Sequence, residues 1–181
     1  MSTISETRTD LPTGTWHVDS VHSTVAFSVK HMVVANFRGG FDTFDVTLDE
    51  DGLRGTVDVA SVSVSEPNLN GHLLSPDFFD VERSPQLSFH STTIHVSDHG
   101  LDIDGELTLK DVTRPVKITG TVSGPATSID GSSRLGLELE TVIDRTAFGL
   151  DWNAPLPTGG FALGNDVKLH AELELVLAEE A

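Results

Sequence analysis

The chain has 181 residues, enough for one domain with a substantial core, and sets 28 Asp and Glu against 11 Lys and Arg for a net charge of −17. So acidic a surface repels phosphate backbones and anionic headgroups, which argues against nucleic acid as a partner and against stable membrane insertion. With no Cys there is no disulfide, no zinc–thiolate site and no thiol nucleophile.

Residues 1–13 read as a disordered polar arm. They contain neither a basic n-region nor an apolar h-region, which predicts no signal peptide, a cytoplasmic location and a single domain over 14–181. No run approaches the ~18 consecutive apolar residues of a membrane span. Trp16 and Val18 begin a short strand that Asp19 to Ser23 breaks. Val25, Phe27 and Val29 then alternate with Thr24, Ala26, Ser28 and Lys30, the period of two of a half-buried strand, with His31 in phase on the apolar face. Phe37, Gly39 and Phe41 continue the alternation, but Phe44, Val46 and Leu48 fall in the opposite phase. One extra residue near Asp42-Thr43, a β-bulge, reconciles the two sets. Asp49 to Gly52 is a hairpin turn, followed by Leu53, Gly55, Val57 and Val59 on one face.

Asn70 to Phe89 is the least strand-like stretch. Gly71 frees the backbone, Ser75-Pro76-Asp77 signals a turn, and Phe78 and Phe79 stand side by side between two Asp. Adjacent aromatics cannot share one strand face, so the segment reads as a short helical turn and loop, a lid over the open end of a β structure. Gln86 to Val96 is a strand carrying Leu87 and Phe89. Turns at Ser97 to Gly100 and at Lys110-Asp111 bound the Leu101–Leu109 alternation. The Val116–Val122 strand stops at Gly124-Pro125, where a loop extends to Asp130-Gly131. Leu135 to Leu139 alternate, a Gly/Pro loop spans 151–164, and the last strand carries Val167 to Leu177.

Eight or nine one-faced strands joined by short turns, with no helix-period stretch, exclude parallel α/β folds and favour antiparallel neighbours. An eight-stranded up-and-down β-barrel closes such a sheet and removes its edges, with a two-sheet sandwich as the alternative. The pattern alone does not separate a barrel filled by side chains from one that holds a ligand.

The run Gly71 to Phe89, the Asp19 to Ser23 segment with Phe27, the run Leu107 to Val116, and Ile143 to Leu150 followed by the Val167–Val176 strand resemble the bacterial YceI-like family over about Gly14 to Leu177. The resemblance implies an all-β, eight-stranded antiparallel lipocalin-like barrel with a short helical lid. It also implies an elongated apolar cavity for a polyisoprenoid, an isoprenoid quinone or a fatty-acid derivative, and a possible homodimer. Many members carry a signal peptide, which residues 1–13 do not predict here, and where the family tends to place an Arg-Asp pair before the lid His this chain has Leu69-Asn70-Gly71.

On that reading the ligand-binding residues are Phe27, Val29, His31, Phe37, Phe41, Phe44, His72, Leu73, Phe78, Phe79, Phe89 and Phe148. Without the resemblance these aromatics are a packed core. His31 is a rim histidine or a partner for a ligand carbonyl. Asp19-x-x-His22 has catalytic spacing, but Ser23 and Ser75 lack a nucleophile-elbow setting, so no catalytic residue is assigned. His90, His95 and His99 come near ligand spacing, yet 90 and 95 point to opposite strand faces, so no metal is assigned. Asp144 and Arg145 read as a structural ion pair, and Arg38 as a candidate partner for an anionic head. The sequence therefore predicts a non-catalytic carrier of an apolar small molecule, without a cofactor other than a bound isoprenoid lipid or quinone, whose acidic exterior keeps it off anionic bilayers. An enzyme acting on a quinone- or polyketide-like substrate and a filled-core interaction module are the alternatives.

Overall fold

A computed structural model describes residues 10–179. Eleven strands form the sheet: β1 (Trp16–Val18), β2 (Thr24–His31), β3 (Ala35–Phe41), β4 (Phe44–Asp49), β5 (Gly52–Asp58), β6 (Val62–Ser63), β7 (Gln86–Ser97), β8 (Gly100–Leu109), β9 (Val112–Thr127), β10 (Ser133–Asp144) and β11 (Leu163–Leu177). Among the described residues one α-helix, α1 (Pro67–Leu74), lies between β6 and β7, beside three short 3-10 turns.

Two of the barrel's long strands are bent, which is why eleven strands make eight staves. β1 and β2 run one after the other along β11, through Trp16↔Leu177 and then Ala171↔Val25. β3 and β4 likewise follow them, through Val25↔Phe41 and Trp16↔Leu48. The remaining staves, β5, β7, β8, β9, β10 and β11, pair antiparallel in chain order. Because β1 bonds both β4 and β11, the ring is closed, as the one-faced strands and short turns predicted. β6 is a two-residue strap on β3.

The expected irregularity at Asp42-Thr43 is the corner between β3 and β4. There the Asp42 N–H donates to the Ser61 carbonyl (3.1 Å) and the Thr43 N–H to Ser61 Oγ (2.9 Å), so the interrupted ladder leaves neither donor unpaired. The slip turns Phe41 and Phe44 both inward, against the same apolar cluster. The other corner, Asp19 to Ser23, is held by Asp19, whose carboxylate accepts from the Val21 N–H (3.1 Å) and from Arg134 Nη1 (2.7 Å).

Four boundaries differ from the sequence reading. The lid helix begins at Pro67, because Glu66 caps the Leu69 N–H (2.8 Å) and proline is well placed in a first helical turn. β9 runs through Gly124-Pro125 to Thr127, because a register shift opposite Arg134 to Gly136 absorbs the Gly-Pro step. β11 starts at Leu163, which pairs with His31. The polar arm expected over 1–13 lies outside the described residues as far as 9, but Leu11 packs on the barrel core and Trp16 Nε1 donates to the Thr13 carbonyl (3.1 Å).

The interior divides into two halves. One is solid: Trp16, Leu48, Leu53, Leu101, Ile103, Leu135, Leu137 and Leu175 are all buried and in mutual contact. The other is walled by Phe27, Phe41, Val57, Leu107, Leu109, Ile143 and Phe148, and it is hollow.

Candidate ligand cavity

The strand pattern that sets inward residues two apart turns Phe27 and Val29 (β2), Phe37 and Phe41 (β3), Leu107 and Leu109 (β8), and Val167 and Leu169 (β11) toward the same interior. They enclose a cavity of about 480 Å³, within the ~300–1,000 Å³ of small-molecule sites. A deeper chamber of about 150 Å³ shares Phe41, Leu87, Leu107 and Leu169 with it and ends against the solid half at Val46, Leu53 and Leu173.

The lid covers the open end. Leu69, His72 and Leu73 of α1 face the cavity, as do Phe78 and Phe79 from the loop behind it. That loop folds back on the helix: the Phe79 N–H donates to the Leu73 carbonyl (2.9 Å) and the Val81 N–H to the Leu74 carbonyl (3.0 Å). The two adjacent aromatics are therefore both directed inward. Phe79 meets Phe41 edge to face (5.7 Å between centroids), Phe41 leads on to Phe27 (5.7 Å), and Phe27 in turn meets Phe37 (6.3 Å). Phe78 joins a second group, with His72 at 5.0 Å and Trp152 at 5.4 Å. Lys110 Nζ fastens this side by donating to the Pro76 carbonyl (2.9 Å) and to that of Gly149 (3.2 Å).

Nine of the twelve sequence-predicted residues line the main cavity: Phe27, Val29, His31, Phe37, Phe41, His72, Leu73, Phe78 and Phe79. Phe44 and Phe89 line the deeper chamber, and Phe148 is buried in the wall behind, lining neither. Arg38 lies outside the lining, because its strand phase is opposite to Phe37 and Phe41.

Arg145 is the main polar feature that the sequence misassigned. It was expected to pair with Asp144, but that carboxylate caps the Thr146 N–H instead (2.9 Å). Arg145 is only 4% exposed and contributes to the cavity lining. Its Nε donates to the Gly164 carbonyl (2.8 Å), and its Nη1 donates to those of Leu150 (2.5 Å) and Trp152 (2.9 Å). Nη2 is buried without an acceptor among the described residues. Burial pushes its pKa below the ordinary value, while the guanidinium remains a cation. The loop carbonyls that hold it come from residues up to 19 positions away, so no local motif announces the arrangement.

His22 and Asp19 do meet (Nδ1 to Oδ2, 2.9 Å), but outside the cavity, with Arg134 and Glu174 as neighbours. Ser75 Oγ donates to the His72 carbonyl (2.6 Å). Among the described residues, the main cavity's lining contains no carboxylate, hydroxyl or lysine side chain. Two exposed or half-exposed sets of potential metal ligands exist elsewhere, Asp19–His22–Glu174 and Glu138–His170–Glu172, and neither includes His90, His95 or His99.

The YceI-like domain matches residues 16–175. The chain belongs to the YceI-like family. A UPF0312 protein of Staphylococcus aureus (strain USA300) is 31% identical over 172 residues, covering 89% of this chain and 96% of that protein. Among solved structures, Burkholderia cenocepacia BcnA superposes with a TM-score of 0.73 at 24% identity, over 87% of this chain and 98% of that one. The Campylobacter jejuni YCEI protein gives 0.69 at 24% identity, over 83% and 90%. A domain from Saccharophagus degradans described as polyisoprenoid-binding gives 0.67 at 13% identity, over 90% and 98%. At those identities the structural likenesses speak to the fold, and they agree with the closed eight-stranded YceI-like barrel found in this chain.

Proposed function

We propose that this YceI-like protein binds and carries an apolar amphiphile in its barrel, a polyisoprenoid, an isoprenoid quinone or a fatty-acid derivative, without making or breaking bonds. The observation that carries this reading is the hollow half of the barrel, an aromatic and aliphatic cavity of about 480 Å³ under a lid. Each methylene moved from water into such a site contributes at most ~0.8 kcal/mol before ordering costs, so a long tail supplies the affinity. Among the described residues the main cavity's lining offers no carboxylate, hydroxyl or lysine side chain, which supports carriage over catalysis. Arg145 supports an amphiphile over a plain hydrocarbon, because a buried cation beside the cavity favours an oxygen-bearing head. The polyisoprenoid-binding description of the Saccharophagus degradans domain agrees in ligand class.

The test is organic extraction of the purified protein with mass spectrometry, beside native mass spectrometry of the intact chain. A stoichiometric isoprenoid or fatty-acid species is expected. A bare chain that stays bare after incubation with quinones, polyprenols and long-chain fatty acids would end this reading.

A further inference from the structure

The chain's acidity is unevenly placed. Between Asp19 and Asp42 there is no acidic residue, and none between Asp151 and Asp166, while Lys30 and Arg38 fall in the first of these segments. Both segments reach the cavity mouth: the first as the β2–β3 hairpin, with His31, Ala35 and Asn36 on the lining, the second as the loop into β11, with Trp152, Ala162 and Leu163. The Met32 N–H donates to the Ala162 carbonyl (2.7 Å) and holds the hairpin tip against that loop.

The joined tip is apolar and exposed. Met32 is 43% exposed, Val33 71%, Val34 85% and Phe161 59%. Val33 and Phe161 line one surface cleft with Lys30. Met32 and Val33 hold left-handed backbone (φ 54° and 67°), which a β-branched residue rarely adopts, so large apolar side chains stand where Gly or Asn would fit more easily. The other strongly exposed apolar residues have a different setting. Val21 is two residues from Asp19, Ile129 is next to Asp130, and Val142 alternates with Glu140 and Asp144.

We infer that the Met32–Val34 tip and Phe161 form a docking surface for a lipid bilayer, seated reversibly at the interface with the cavity mouth beside it. The charge argument selects this partner. Residues 83–97 and 112–129 are also free of acid, but in a chain of net charge −17 only here do two such segments join into one exposed apolar patch with a lysine beside it, whereas Val21 and Ile129 stand singly near Asp19 and Asp130. This patch can therefore approach a headgroup layer while the acidic body stays in water. Four apolar side chains suffice for transient contact and not for insertion. A lipid then passes between bilayer and cavity without exposing its tail. The docking stands on the tip alone, and the transfer step rests on the carrier function proposed above.

The experiment is co-sedimentation with phosphatidylcholine vesicles, comparing the natural chain with the triple variant Val33→Asn, Val34→Asp, Phe161→Ser. Asn takes left-handed backbone readily, so this variant should fold at least as well, which the melting temperature checks. Vesicle partitioning of the natural chain is expected to exceed that of the variant by about tenfold or more, with the melting temperature and the extracted ligand unchanged. No vesicle binding by the natural chain, or equal binding by both, overturns the inference. So does a dimer in light scattering that the variant dissolves, because the tip then belongs to a second copy. Vesicle binding by a chain that takes up no lipid keeps the docking surface and removes the carrier reading instead.

Discussion

The rings of His72 and Trp152 meet edge to face with their centroids 4.7 Å apart, joining the lid helix to the loop that follows β10. This contact belongs to a ring group distinct from the Phe27–Phe41–Phe79 stack, and both groups line the cavity. The chain has two tryptophans, and the structure separates them: Trp152 lines the cavity and Trp16 is buried in the solid half. Added isoprenoid quinone should therefore quench Trp152 selectively. Quenching is expected to survive Trp16→Phe and to vanish in Trp152→Phe, and retained quenching in the latter would place the ligand elsewhere.

Arg145 predicts a stability effect with a particular chemistry. Arg145→Met removes the donors to the Leu150, Trp152 and Gly164 carbonyls, and leaving such groups unmet costs on the order of 2–5 kcal/mol in total. Arg145→Lys should recover little of this, because an ammonium cannot reproduce the planar fork. Denaturant unfolding of both variants checks it; a midpoint unchanged in Arg145→Met would mean that the guanidinium holds nothing.

Gly39 lies under the aromatic wall. A Cβ there would stand 2.6 Å from Phe27 Cζ and 2.9 Å from Val64 Cγ1, so Gly39→Val must displace the Phe27 ring, which lines the cavity, from its present position. Overpacking of this kind costs ~1–3 kcal/mol. Ligand affinity should fall more than stability does, read by quinone titration beside thermal unfolding; undiminished affinity would show that the Phe27 wall is not in contact with the ligand.

The Asp19–Arg134–Asp130 network sets the acid limb. Hydrogen bonds from His22 and then Arg134 hold the Asp19 carboxyl at about 2, below the ordinary 3.8. Ser132 hydrogen bonds, with help from Arg134, hold Asp130 at about 2. Groups with lowered folded values stabilise fully above about 3.8 and lose that contribution as the pH falls toward about 2. His22 is raised by Asp19, so its contribution is complete below its ordinary 6.5 and fades as the pH climbs through the raised value. Arg134→Ala should thus cost stability at pH 7 and little at pH 2, with a small amplitude because the groups are accessible to water. An equal loss at both pH values would assign Arg134 a packing role only.

Much of the barrel was written in the alternation of residues. The opposite phases of Phe41 and Phe44 located the corner at Asp42-Thr43, and the adjacent Phe78 and Phe79 marked the lid. The alternating faces also held Leu107, Leu109, Val167 and Leu169, but nothing in a period of two says whether the space between inward residues is full. That depends on how eight walls meet, which is a property of closure. Arg145 was misread for a related reason. Its neighbour Asp144 is adjacent in the chain, whereas its actual partners are carbonyls brought to it by a folded-back loop.

The solid half around Trp16 has a consequence for traffic. If the lid covers the cavity's way in, a carried occupant that enters tail first toward this packed end would leave head first by the way it came. On the carrier function proposed above, the head would wait near that entrance, on the side where Arg145 and His72 stand. The lid would then set the residence time, and the packed floor around Trp16 would supply the rigidity beneath it.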